Sequence, residues 1–213
     1  AILMYYAVLK LGAINVPINT RLATPEIQYI LEHSEAEVCV FSEFVQDTVL
    51  PAIRGLSHAI HPVMVGAGKQ GTVSWDELLN DAGDRVPSVP LDSEDDANLL
   101  YTSGTTGMPK GALHTHGSSI AAGIGWNQAL RLQPHDVIQT PFPIFTGGCI
   151  HFSGLSILWA GGTFVLDDYD TDESLRLMER CRSTVYVAVP SIYKFISESP
   201  ILSQVDLSSM RLF

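Results

Sequence analysis

The strongest constraint on this chain is an alternation of short apolar runs with stretches of helical spacing. Strand-length runs fall at 37–41 (EVCVF), 62–65, 99–102, 111–114, 137–140, 163–166 and 184–189, and another opens at 210–213. Between them, residues 1–11, 45–53, 74–79, 118–130, 148–159 and 191–197 read as helices. Thr24, Pro25 and Glu26 form a helix start: a capping hydroxyl, a proline in the first turn and an acid near the positive end. Ile27, Ile30 and Leu31 then share one face. Thr171, Asp172 and Glu173 open a further helix, with Leu175, Met178 and Cys181 on one side. Residues 13–18 are a short extended segment. A strand apolar on both faces must be covered on both, and alternating helices provide that cover. The pattern predicts an α/β fold, a layered domain of alternating strands and helices.

Residues 83–96 interrupt the pattern. They are polar, hold two prolines and end in a run of acids, so they read as a linker inside the chain. Hydrophobic residues make up 46% of the chain and charged ones 16%, a balance that suits a packed core. The net charge of −11, from 12 basic and 23 acidic residues, argues against nucleic acid as a partner, because a phosphate backbone demands clustered Lys and Arg. A nucleotide ligand needs only a few local donors and is not excluded. Cys39, Cys149 and Cys181 are scattered and odd in number, so neither a disulfide framework nor a zinc site is expected, and a reducing cytoplasmic setting follows. No run is long enough to span a bilayer as a helix. The chain opens on Ala1 within an apolar run and stops at Phe213 within an incipient strand, so both ends are expected to be cuts in a longer protein.

Residues 101–111 read YTSGTTGMPKG. Gly104 and Gly107 let the backbone turn tightly and expose its N–H groups. Thr102, Ser103, Thr105 and Thr106 add hydroxyls, and Lys110 adds one positive charge beside Pro109. Convergent neutral donors with a single cation suit a polyphosphate. The spacing is not that of a Walker A loop, because Pro109 and Gly111 flank the lysine, and it is not the dinucleotide-binding GxGxxG. A surface hairpin without function is the rival reading. It has to account for a whole eleven-residue pattern lying between two apolar strands.

This loop resembles the phosphate-binding signature of the adenylate-forming (AMP-binding) enzymes, a superfamily that includes acyl-CoA synthetases, 4-coumarate–CoA ligase-like enzymes, luciferases and peptide-synthetase adenylation domains. Three further segments resemble that family in order: residues 9–21 (LKLGAINVPINTR), the pair Gly161 and Gly162 before Thr163, and residues 184–193 (TVYVAVPSIY). The resemblance runs along all 213 residues and corresponds to the first half of such an enzyme, part of its large N-terminal domain. It implies an acid–thiol ligase of the AMP-forming acyl-CoA synthetase type, with fatty acids among the acids served. A carboxylate would attack Mg–ATP to give an acyl-adenylate and pyrophosphate, and coenzyme A would then displace AMP. Thr102, Ser103, Gly104, Thr105, Thr106, Gly107 and Lys110 would hold the phosphates, with Lys110 and Thr106 taking the catalytic part. Many family members carry Ser where Thr102 stands, and the hydroxyl is kept.

Residues 140–149 (TPFPIFTGGC) resemble the family segment that lines the acyl pocket, usually P-x-F-H followed by a Gly. No His is present. Pro141 and Pro143 permit two registers, so Phe145 or Thr146 takes that place, with Gly147 beside them. A strand end and turn without a substrate is the alternative. His114 and His116 have metal-like spacing but no visible third ligand, and a structural role is favoured. The acids at 92–96, and Asp167 with Asp168, read as solvated charge. The family's Mg²⁺-holding acid and second lysine would lie past Phe213, so residues 1–213 alone are expected to be inactive. The expected partners are a small carboxylic acid, ATP and CoA. An adenylation domain that loads a carrier protein, and a non-catalytic phosphate-binding relic, are the alternatives. The oligomeric state is not legible.

Overall fold

The computed structural model describes residues 2–66, 68–83, 87–102 and 107–213, an α/β arrangement in two compact units. Leu3–Leu91 with Asp96–Leu113 form the first, and Asp92–Asp95 with His114–Phe213 the second.

In the first unit, helix α1 (Ile2–Lys10) is followed by α2 (Thr24–His33). The cap of α2 differs from the expectation. Thr24 is already helical and its hydroxyl donates to the Thr48 carbonyl at 3.1 Å. Ala23 is the N-cap, and the Glu26 carboxylate reaches back to the Ala23 N–H at 2.9 Å, one half of a capping box. Strands β1 (Val38–Ser42), β2 (His61–Val65) and β3 (Val73–Ser74) form a parallel sheet in that order, with Val40 opposite Val63. Helix α3 (Gln46–Arg54) links β1 to β2, and α4 (Trp75–Asp81) follows β3. The core joins Ile27 and Leu31 of α2, Phe41 of β1, Val49 and Ala52 of α3, and Met64 of β2. β4 (Asp96–Thr102) and β5 (Lys110–Thr115) make a two-stranded sheet, and the extended segment at 13–18 joins β4 through a parallel bridge from Asn15 to Asn98.

In the second unit, α5 (His116–Leu130) begins at Thr115, whose hydroxyl accepts the Ser118 N–H at 3.1 Å. The acidic run also serves this helix. The carbonyls of Ser93 and Asp95 accept the N–H groups of Gly117 and His116 at 2.7 and 2.9 Å, while the side chains at 92–96 stay exposed. β6 (Val137–Thr140) is the centre of a parallel sheet, between β7 (Thr163–Leu166) and β8 (Val185–Tyr186). The helix expected at 148–159 is instead a π-helix, Gly148–Leu155, running into α6 (Ser156–Ala160). Serines stabilise the widened turns: Ser153 donates to the Gly148 carbonyl at 3.1 Å, and Ser156 to those of Phe152 and Ser153.

Helix α7 (Thr171–Cys181) is capped one residue earlier than read from sequence. Asp170 accepts the N–H groups of both Asp172 and Glu173 at 3.1 Å. The strand expected at 184–189 shortens to β8 because α8 (Pro190–Glu198) supplies a substitute partner. The Tyr193 hydroxyl accepts the Ala188 N–H at 3.1 Å and donates to the Tyr186 carbonyl at 2.9 Å. The run at 210–213 contributes one bridge, Val185 to Leu212. No helix among the described residues is long and apolar enough to cross a membrane.

Candidate active site

The candidate phosphate loop follows β4 and precedes β5 in the chain. Ser103, Gly104, Thr105 and Thr106 lie outside the described residues, and the two stems are defined. Thr102 ends β4 and Lys110 opens β5, and the Thr102 hydroxyl lies 3.5 Å from the Lys110 carbonyl. Gly107 has φ +154°, which a residue with a Cβ adopts with strain, and the space around it is open. Met108 and Lys110 are exposed, and the Lys110 ammonium makes no ion pair among the described residues. A cation at the root of a hydroxyl-bearing turn, unpaired and wet, is available to an anionic ligand. Gly111 has a separate reason. A Cβ there would lie 2.8 Å from the tip of the Leu99 side chain and 3.4 Å from the Tyr101 ring, so with glycine the two side chains lie over the second stem without having to shift.

Phe145, Thr146 and Gly147 belong to the second unit and form the entry to the π-helix. All three are half-buried. The Thr146 hydroxyl donates to the Pro143 carbonyl at 2.7 Å and accepts the Cys149 N–H at 3.3 Å. It is therefore engaged as a local cap. Phe145 presents an apolar ring, and Gly147 is the helix N-cap.

His114 and His116 do different things. His116 is the first residue of α5, with its N–H on Asp95. His114 stands against His151, the ring centroids 5.1 Å apart at 65°. His151 lies in the π-helix and is 5% exposed. Burial, with the nearby His114 charge second, lowers its pKa to about 4, so its ring is neutral near pH 7. Its Nε2 atom has no partner among the described residues. Sequence reading passed over this residue because a histidine in an apolar stretch carries no spacing signal. No group of three His, Cys, Asp or Glu residues among those described is placed to hold a metal ion.

With this geometry in place, the likeness to known proteins is specific. The model of the AMP-binding enzyme family matches residues 1–213. The long-chain-fatty-acid–CoA ligase FadD13 of Mycobacterium tuberculosis is 30% identical over 99% of this chain, which covers 41% of that protein. The indoleacetate–CoA ligase of Aromatoleum aromaticum is 32% identical over 97% of the chain, again 41% of its own length. The solved structure of the anthranilate CoA ligase AuaEII in complex with anthranoyl-AMP matches with a TM-score of 0.90 at 28% identity, covering 97% of this chain and 41% of that one. The chain spans about two fifths of the length of the curated relatives it matches.

Proposed function

Because the chain belongs to the AMP-binding enzyme family, we propose that it carries the phosphate-gripping site, and part of the acyl site, of an AMP-forming acyl-CoA ligase. In the first half-reaction a carboxylate oxygen attacks the α-phosphorus of Mg–ATP. The bond to the bridging oxygen of pyrophosphate breaks, leaving acyl-adenylate. In the second, the thiolate of CoA attacks the acyl carbon and AMP departs. Charge builds on the leaving pyrophosphate in the first step, so preorganised donors there are worth the most. Lys110 supplies the cation and Thr106 a hydroxyl. Thr102, Ser103, Gly104, Thr105 and Gly107 complete the cradle. Lys110 at the Thr102 stem, exposed and without an ion pair among the described residues, is the observation that carries this reading.

Magnesium enters with ATP as part of the substrate. The described residues offer no three-ligand group of their own, and no step is assigned to them through the metal. Phe145, Thr146 and Gly147 are proposed to face the acid. With the Thr146 hydroxyl engaged, the Phe145 ring would set an apolar character there. CoA as the thiol is supported by the relatives' names, which are those of CoA ligases of fatty, indoleacetic and anthranilic acids. A cytoplasmic setting fits the scattered free cysteines.

The test is Lys110→Ala in the full-length protein. Loss of one charge-assisted contact, about 1.5–3 kcal/mol, should slow ATP–pyrophosphate exchange roughly ten- to a hundredfold. Unfolding by urea should be unaltered, because Lys110 is exposed and makes no ion pair among the described residues. Exchange equal to that of the unmodified enzyme would refute the loop assignment.

A further inference from the structure

Tyr101 immediately precedes Thr102 at the first stem of the loop, and its ring reaches across to the second. It is the atoms of Leu99 and Tyr101 that a Cβ on Gly111 would meet, at 2.8 and 3.4 Å. Leu99 and Tyr101 are two residues apart in β4 and therefore project from one face of it. By the same alternation in β5, Gly111 lies under that face and Lys110 projects from the opposite one. The ring thus covers one side of the ribbon whose other side carries the cation.

The same end of the Tyr101 ring is anchored. Its hydroxyl lies 2.7 Å from Nδ1 of His33, a residue distant in sequence that ends helix α2. The two rings meet edge to face, with centroids 5.8 Å apart at 81°. One turn back in α2, Tyr29 flanks His33 with ring centroids 5.4 Å apart. Burial, and the nearby Tyr29, raise the pKa of Tyr101, so its phenol keeps its proton. His33 is exposed and stands outside the apolar cluster of Ile27, Leu31, Phe41 and Met64. The core does not need this histidine, but the stem of the loop touches it through Tyr101.

We propose that His33 and Tyr101 form a staple, running from the end of α2 through the Tyr101 ring to Gly111, that sets the spacing of the two loop stems and so aims Lys110 at the departing pyrophosphate. His33 is a positioning residue that acts through Tyr101, and the proposal rests on the reading of the loop as an ATP-phosphate site. With its hydroxyl held by His33, and the ring carbon that bears this hydroxyl facing Gly111, the ring leaves the strand end little freedom to twist. A charge contact misplaced by even part of an ångström weakens most in the transition state.

The test is ATP–pyrophosphate exchange by the full-length protein, with ATP and acid varied separately. His33→Leu and Tyr101→Phe each remove the same bond. Each is expected to lower kcat about three- to tenfold and to leave the KM for the acid unchanged. The double variant should be no slower than the slower single one, because coupled residues are not additive. His33→Asn, whose amide can stand near the place of Nδ1, should recover most of the rate, and all four proteins should melt together. Multiplicative losses in the double variant would overturn the staple, as would wild-type exchange in His33→Leu. Lys110→Ala run alongside separates the two readings. If it is slow while His33→Leu is normal, the staple falls and the loop assignment stands. If Lys110→Ala is itself normal, both fall.

Discussion

The polar side chains around β6 and those at the described stems of the candidate phosphate loop have opposite fates. Asp136, Gln139 and Thr140 are at most 1% exposed, and each has several partners or a short bond. Asp136 takes the Arg211 guanidinium at 2.7 Å, the Thr184 hydroxyl at 2.7 Å and the Gln133 N–H at 2.8 Å. Burial alone would raise its pKa, but these donors hold it below the usual carboxylate range. Gln139 donates to Asp167 and to the Ser174 carbonyl and accepts from Ser183, and Thr140 donates to the Val187 carbonyl at 2.7 Å. At the loop, the Thr102 hydroxyl lies 3.5 Å from the Lys110 carbonyl, and Lys110 is exposed without an ion pair among the described residues. Buried polar groups must be satisfied within the fold, so theirs is an architectural task. Groups left in water at the mouth of a loop remain available to a ligand. The comparison separates residues whose loss should cost stability from residues whose loss should cost rate.

The largest effect should come from the architectural side. Arg211→Met removes the cation from a carboxylate that stays buried, and is expected to destabilise the protein by about 3 kcal/mol. Urea denaturation measures it. A loss no larger than that of Lys110→Ala, expected to be near zero, would erase the distinction between the two regions.

His151 sharpens the comparison, because it is buried like the β6 residues yet has a nitrogen without a partner among the described residues. Its folded-state pKa of about 4 lies below the ordinary histidine value. As pH falls, the unfolded chain takes up the proton first. The stability contributed by the neutral ring is therefore complete above about 6.5 and is lost toward 4. Between neutral pH and the acid end of that window, the natural protein should lose on the order of 2 kcal/mol more than His151→Leu does. Parallel stability curves for the two proteins would mean that the site stays wet enough for the imidazolium to be tolerated.

The smallest effect concerns the segment proposed to face the acid, where the Thr146 hydroxyl is engaged and Phe145 is half-buried. Phe145→His should shift preference between aliphatic and hydroxylated aryl acids by about tenfold or less while leaving the KM for ATP unchanged. A changed KM for ATP with an unaltered acid profile would remove Phe145 from the acid-facing set.

Much of this was legible before any coordinates. The strand-length runs at 37–41, 62–65, 137–140 and 163–166 correspond to β1, β2, β6 and β7, because an apolar run bounded by polar turns has few other ways to be buried. The candidate phosphate motif stands out because its glycines, hydroxyls and lysine are adjacent in sequence. Helix caps were less so. Thr24 and Thr171 looked like caps, yet Ala23 and Asp170 take those places, since a cap depends on backbone dihedrals that neighbouring hydroxyls do not determine. The shortening of the strand at 184–189 depended on the Tyr193 hydroxyl folding back from the next helix.

By itself, then, the sequence determined whatever rests on contiguous residues: the α/β alternation, the acid surplus that disfavours nucleic acid, and a loop with the donors of a phosphate site. Only the tertiary structure decided what depends on residues far apart in the chain. It joined Asp136 to Arg211, set His114 against His151, and brought His33 to Tyr101. The reason is physical. Periodicity reports which face of an element leaves water, and a local motif reports its own chemistry. The partner of a buried charge or ring is chosen by how the layers pack, and that choice leaves no spacing in the sequence to be read.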